Sequence, residues 1–142
     1  MKKILITGLT GFVGSWLSLI LFYNNYKVYG VSLKNNNPLH IYNKANISKY
    51  CKSYICDIKN YKNLEKIFRE IKPDFVIHLA AQPIVIKSYL DPFDTFYTNI
   101  LGSLNIFELS NKISSKRIIN FTSDKVYQNL DNKKAFKETD VL

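Results

Sequence analysis

Thr7-Gly8-Leu9-Thr10-Gly11-Phe12-Val13-Gly14 carries a glycine at every third position. The apolar run Lys3–Thr7 before it reads as a buried strand. The stretch from Gly11 to Asn25 reads as a helix, with Trp16, Leu17, Ile20 and Leu21 on one face. Glycines between a strand and a helix let the chain reverse sharply and let an anion approach the helix N-terminus closely. The first-turn N–H groups and the helix dipole then meet the negative charge. In this strand–turn–helix context the spacing points to the pyrophosphate of a dinucleotide.

The pattern outward from the turn repeats the alternation. Lys27–Leu33 reads as a second strand, and Asn35-Asn36-Asn37-Pro38 as a loop. Residues 39–50 read as weak helix or irregular chain. Ser53–Cys56 reads as a third strand. Asn60–Ile71 places Leu64, Ile67, Phe68 and Ile71 on one helical face, and Pro73 ends that helix. Asp74–Ala80 is apolar almost throughout, as a central parallel strand should be. Asp91-Pro92 supplies an N-cap and a first-turn proline for a helix running to about Lys112. Its buried stripe is expected to be Phe93, Phe96, Tyr97, Ile100, Leu101 and Leu104. Arg117–Thr122 reads as a fifth strand, and the chain from Gln128 onward as polar loop. Strands alternating with helices imply an α/β fold, a Rossmann-type doubly wound parallel sheet with helices on both faces. The expected strand order is 3-2-1-4-5, in one domain spanning 1–142.

Composition narrows the function classes. With 142 residues the chain suits a single domain, and 46% apolar content argues against disorder. No stretch approaches the roughly 20 apolar residues of a membrane span. The charged start Met1-Lys2-Lys3 is not a signal peptide, because Gly8, Gly11 and Gly14 break the apolar run after it. A cytoplasmic location is therefore expected. Cys51 and Cys56 lack metal-ligand spacing and read as free thiols, so no metal is expected. The formal net charge is +9, but the lysines are scattered along the sequence, so no nucleic-acid partner is expected.

The Gly-x-x-Gly-x-x-Gly spacing resembles that of the extended short-chain dehydrogenases/reductases, the family of nucleotide-sugar epimerases and dehydratases. Cys56-Asp57-Ile58, His78-Leu79-Ala80-Ala81-Gln82 and Thr98-Asn99 follow at matching places. The resemblance implies a cofactor site of Gly8, Thr10, Gly11, Phe12, Val13, Gly14, Asp57, Ile58, Leu79, Ala80, Ala81, Gln82 and Asn99, with Asp57 on the adenine amine. Taken singly, each has a blander reading. Asp57 can cap the following helix, Asn99 can face water, and His78 reads as a satisfied core histidine. The implied cofactor is NAD. Family members carry an acidic residue after the second strand, whereas Ser32-Leu33-Lys34 offers none, which leaves NADP open.

Within that family, Ser123-Asp124-Lys125 resembles the branch of 4,6-dehydratases acting on CDP-glucose. The resemblance implies that the sugar is oxidised at C4, loses its C5 proton and 6-hydroxyl, and is then reduced at C6. Ser123 would hydrogen-bond the 4-oxygen, Asp124 would act as general acid, and Lys125 would move the C5 proton. Leu9, Val13 and Ile86 depart from the family's His, basic residue and Arg. The family's Tyr-x-x-x-Lys pair belongs beyond Leu142, and Tyr23 to Lys27 matches it by chance at a remote place. The expectation is a truncated enzyme part, with a non-catalytic dinucleotide-binding module as the alternative. A nucleotide-sugar substrate and a homodimer through the 91–112 helix are implied as partners.

Overall fold

Five short apolar strands, each followed by a chain too long for a hairpin, can pair only through crossovers. In a computed structural model, which describes residues 1–123, 126–128 and 135–142, they do so in parallel. The strands are β1 (Lys3–Thr7), β2 (Lys27–Ser32), β3 (Lys52–Ile55), β4 (Phe75–His78) and β5 (Arg117–Asn120). Their order is β3-β2-β1-β4-β5, as expected. The helices are α1 (Phe12–Tyr23), α2 (Ile41–Lys44), α3 (Tyr61–Ile71), α4 (Val85–Leu90), α5 (Pro92–Phe96) and α6 (Ser103–Lys112). Residues 39–50 hold α2 and the 3₁₀ turn Ile47–Lys49, while α4 is an element that the sequence pattern does not mark.

Alternation along the three central strands, β2, β1 and β4, fills two cores. Leu5, Tyr29, Val31 and Val76 face Leu64, Ile67, Phe68 and Ile71 of α3, together with Ile106 and Leu109 of α6. Ile4, Ile6, Val28 and Ile77 face Leu9, Leu17 and Leu21 on the opposite side. Each fully buried side chain of this size contributes about 1.5–3 kcal/mol by leaving water. Asn60 caps α3 by accepting from the Asn63 N–H at 3.1 Å. Lys72, in the left-handed region at φ 48°, ends that helix ahead of Pro73.

Two expected helix faces are corrected. On α1 the buried residues are Gly14, Ser15 and Ser18, while Trp16 and Ile20 are 49% and 55% exposed. The helix lies close to the sheet through its small residues, which turns Trp16 outward. On the 92–112 helix the whole expected stripe is exposed, from Tyr97 at 40% to Phe93 at 76%. The buried positions there are Gly102, Ile106, Leu109 and Ser110. This helix is α5 and α6 joined by a π-helical segment, Tyr97–Gly102.

A buried polar chain ties the end of β1 to β4 and to α6. The Thr7 hydroxyl oxygen accepts from the Leu79 and Ala80 N–H groups, both at 3.2 Å. Its proton is then left for His78 Nδ1, 2.5 Å away. His78 Nε2 consequently carries the ring proton and donates to Ser103 Oγ at 2.9 Å. Ser103 donates onward to the Asn99 carbonyl at 2.7 Å. His78 is thus a satisfied core histidine, and burial pushes its pKa down from 6.5 to about 4.

Two outcomes are expected from this packing. Gly30 lies under Leu9, and a Cβ there would stand 2.1 Å from Leu9 Cδ2 and 2.6 Å from Leu9 Cβ. Gly30→Ala should cost about 1–3 kcal/mol by overpacking, and Leu9→Ala should relieve part of it. Urea unfolding of both single variants and the double variant checks this, through a double variant more stable than the sum of the singles. For His78 the unfolded state binds the proton more readily. Stability is therefore present above pH 6.5 and lost as pH falls towards 4, by about 3 kcal/mol at most. Unfolding curves at pH 6.5 and pH 4.5 should show that loss, and His78→Gln should remove it.

Candidate active-site groove

Gly8 sits at φ +72°, and its N–H donates to the Val31 carbonyl at 2.8 Å. A Cβ on Gly8 would lie 3.0 Å from Ala80 N and 3.1 Å from the Leu79 carbonyl carbon. The turn after β1 and the loop after β4 therefore meet backbone to backbone. Gly14 packs beneath the turn, where a Cβ would stand 2.4 Å from the Gly8 carbonyl oxygen. Gly11 is the N-cap of α1, with no side chain to offer and no acidic residue in the first turn. By contrast Asn60 and Asp91 cap α3 and α5 with side-chain oxygens. The start of α1 thus keeps its N–H groups and positive dipole end for an anion.

The groove beside this junction has a volume of about 440 Å³. It lies at the C-terminal ends of the strands, where the order reverses between β1 and β4. Open parallel sheets bind ligands there. Of the expected cofactor residues, Gly8, Thr10, Gly11, Asp57, Ile58, Leu79, Ala80, Ala81 and Gln82 line it. Phe12, Val13, Gly14 and Asn99 do not line it. Phe12 and Val13 point their side chains outward, at 69% and 48% exposure, so only their backbone faces the turn. Asn99 clamps Gln82, accepting from its N–H at 2.8 Å and donating to its carbonyl at 3.1 Å. Ile58 is buried, packs against Gly102, and its carbonyl accepts from Asn105 at 2.9 Å. Asp57 does not cap α3; its Oδ1 accepts from the Lys59 N–H at 2.9 Å.

The lining residues outside the expected cofactor set include the charged Lys59, Lys87 and Asp94, which the sequence reading does not single out, and Thr98. Asp94 and Thr98 fall one helical turn apart on the inner side of the 92–112 helix, a polar interruption that marks the inward face. Ser123 follows β5 just beyond Phe121, whose N–H donates to the His78 carbonyl at 3.0 Å, so it stands at the same end of the sheet. Asp124 and Lys125 lie outside the described residues.

A second depression of about 430 Å³ lies at the opposite end of the strands, lined by Phe22, Tyr26, Lys27, Tyr50 and Lys52 among others. Tyr23 belongs there, in ring contact with Phe22 and Tyr50, so Tyr23 and Lys27 are remote from the groove. Among the described residues no group of three or more His, Cys, Asp or Glu side chains could hold a metal ion. Both cysteines are free, and burial raises the Cys51 thiol to about 11. Among the described residues no helix is long and apolar enough to cross a membrane.

The sequence profile of the family described as GDP-mannose 4,6 dehydratase matches residues 5–142. The CDP-glucose 4,6-dehydratase of Salmonella typhimurium is 34% identical over 99% of this chain, which spans 40% of that protein. The GDP-mannose 4,6-dehydratase of Vibrio cholerae is 35% identical over 75% of the chain and 30% of its own length. A UDP-glucose 4-epimerase from Thermus thermophilus, solved in complex with NAD, superposes with a TM-score of 0.84 at 27% identity, covering 98% of this chain and 43% of that one. The Thermotoga maritima UDP-glucose 4-epimerase, solved with UDP-glucose, gives 0.82 at 32% identity, over 98% of this chain and 44% of its own. The chain spans less than half the length of these relatives. With its glycine turn, its switch-point groove and this match over nearly all its residues, the chain belongs to the GDP-mannose 4,6 dehydratase family of nucleotide-sugar dehydratases and epimerases, within the extended short-chain dehydrogenases/reductases.

Proposed function

We propose that this chain forms the NAD-binding part of a nucleotide-sugar 4,6-dehydratase acting on CDP-glucose. The observation that carries the cofactor half is the Gly8–Ala80 junction beside an α1 N-terminus without a side-chain cap. The residues present fit a dinucleotide. Gly8 and Gly11 leave the pyrophosphate room at the first turn of α1, Asp57 offers a carboxylate to the adenine amine, and Leu79–Gln82 presents backbone to the nicotinamide half. The chemistry a bound NAD supplies there is reversible hydride transfer with the sugar. NADP is the variant cofactor, since Lys34 occupies the place of a ribose-binding acid.

The substrate half rests on Ser123-Asp124-Lys125 and on the resemblance to the CDP-glucose branch. In this reading Ser123 donates to the 4-oxygen of the sugar. Asp124 protonates the departing 6-hydroxyl, and Lys125 takes the C5 proton once the C4 ketone has acidified it. A charged pair suits this elimination because one group must give a proton while the other removes one. An epimerase, needing neither, is the alternative. The exposed apolar side of α4 and the 92–112 helix, with Tyr89, Phe93, Phe96 and Ile100, is assigned to a second copy of the chain. Contiguous aromatic patches of that kind are rare on lone monomers.

Calorimetric titration with NAD tests the cofactor site. Gly11→Val should abolish detectable binding, because the isopropyl group would cover the first-turn N–H groups of α1. Retained affinity would sink the assignment. The roles of Asp124 and Lys125 are tested by joining residues 1–142 to the C-terminal part of a CDP-glucose 4,6-dehydratase and assaying formation of the 4-keto-6-deoxy sugar. Asp124→Asn should slow dehydration by about 10²–10⁴-fold, the usual worth of a positioned acid. Lys125→Met should suppress solvent exchange at C5. Unchanged rates in both variants would overturn the roles given to them.

A further inference from the structure

On the Asp57 side of the groove four charged side chains meet from two separate parts of the chain. Asp57 and Lys59 come from the loop after β3, whereas Lys87 and Asp94 come from α4 and α5. The Lys59 ammonium donates to Asp94 Oδ1, and Lys87 donates to Asp94 Oδ2 at 3.0 Å. The Asp94 N–H is itself held by Asp91 Oδ1 at 2.9 Å, so the carboxylate starts from a fixed helix turn. The side chains of Lys59 and Asp94 are only 25% and 27% exposed, which shields their attraction from solvent.

The Asp57 carboxylate is divided by this arrangement. Its Oδ1 is taken by the Lys59 backbone N–H at 2.9 Å. Its Oδ2 faces the Lys59 ammonium at 3.6 Å, beyond hydrogen-bond reach, because that ammonium is drawn to Asp94. Two further contacts fix the loop against the helix: Ile58 under Gly102, and the Ile58 carbonyl on Asn105. Lys59 is thus the ion-pair partner of Asp57, and a small swing of its side chain would bring the ammonium onto Oδ2.

We propose that Asp94 is a positioning residue for adenine recognition, holding the Lys59 ammonium off Asp57 so that Oδ2 stays open to the adenine amine. This rests on the dinucleotide reading of the groove. Without the Asp94 charge, Lys59 closes on Asp57 and competes with the amine for the same oxygen. Lys87 balances the second oxygen of Asp94 and keeps the cluster neutral overall. Asp94 is held below the usual carboxylate range by Lys59 and Lys87, so the arrangement persists through the neutral range.

The test is calorimetry with NAD and with nicotinamide hypoxanthine dinucleotide, which carries a carbonyl where adenine carries its amine. The wild-type chain should prefer NAD. In Asp94→Asn that preference should fall by about tenfold, the worth of roughly one hydrogen bond to a charged group. The double variant Asp94→Asn/Lys59→Met should regain it, since no ammonium remains to compete. A merely structural role would weaken both ligands alike and would make the double variant no better than the single. An Asp94→Asn chain that keeps the wild-type preference, or a double variant that does not recover, overturns the proposal. A wild-type chain that binds NAD without preference removes the role of Asp57 and the proposal with it. A wild-type chain that binds neither dinucleotide overturns the cofactor reading itself.

Discussion

Where β1 ends and β4 ends, two stretches of backbone come together with no side chain between them. Gly8 makes this contact at φ +72°, with the Ala80 N only 3.0 Å from where its Cβ would be. A larger residue would meet both a strained conformation and an occupied space. From this contact the groove takes its shape. Thr7 can reach the Leu79 and Ala80 N–H groups, Gly14 can slide beneath the turn, and the first turn of α1 opens towards the crevice. The site is a consequence of where side chains are missing as much as of where they stand.

The 92–112 helix then serves as the wall on which both ends of the groove are hung. Asp94 holds Lys59, Asn99 holds Gln82, Ser103 holds His78, and Asn105 holds the Ile58 carbonyl. Gly102 lets Ile58 approach closely enough that a Cβ would stand 2.6 Å from its Cδ1. The π-helical turn falls in the middle of these contacts, at Tyr97–Gly102, and carries both Thr98 and Asn99. Such turns recur at functional sites because they widen the helix locally and redirect its side chains. The opposite face of the same helix is apolar and exposed, so one element carries polar contacts inward and an apolar surface outward.

Much of the groove is legible in the residues. Glycine spacing locates the tight turn after β1, and the small-residue run Leu79-Ala80-Ala81 locates the loop it meets, because close backbone approach demands those residue types. Asp57 reaches the groove from its place after the third strand. What escapes is side-chain direction. An apolar stripe repeating every three to four residues shows that a helix has a face, but not which neighbour that face meets. The stripe alone puts Trp16 and Phe93 inward, and both lie outside.

Local pattern was enough to specify the strand–turn–helix start, the parallel order β3-β2-β1-β4-β5 and the end of the sheet at which the groove lies. Each depends on local conformational preference or on the handedness of crossovers, which act along the chain. Packing in three dimensions set the rest: the 92–112 helix turns Gly102, Ile106 and Leu109 inward, and Lys59 meets Asp94 across 35 residues of chain. Those outcomes depend on how two crossovers place their helices against one sheet. Residues distant in sequence become neighbours only once both have packed, and no local pattern carries that distance.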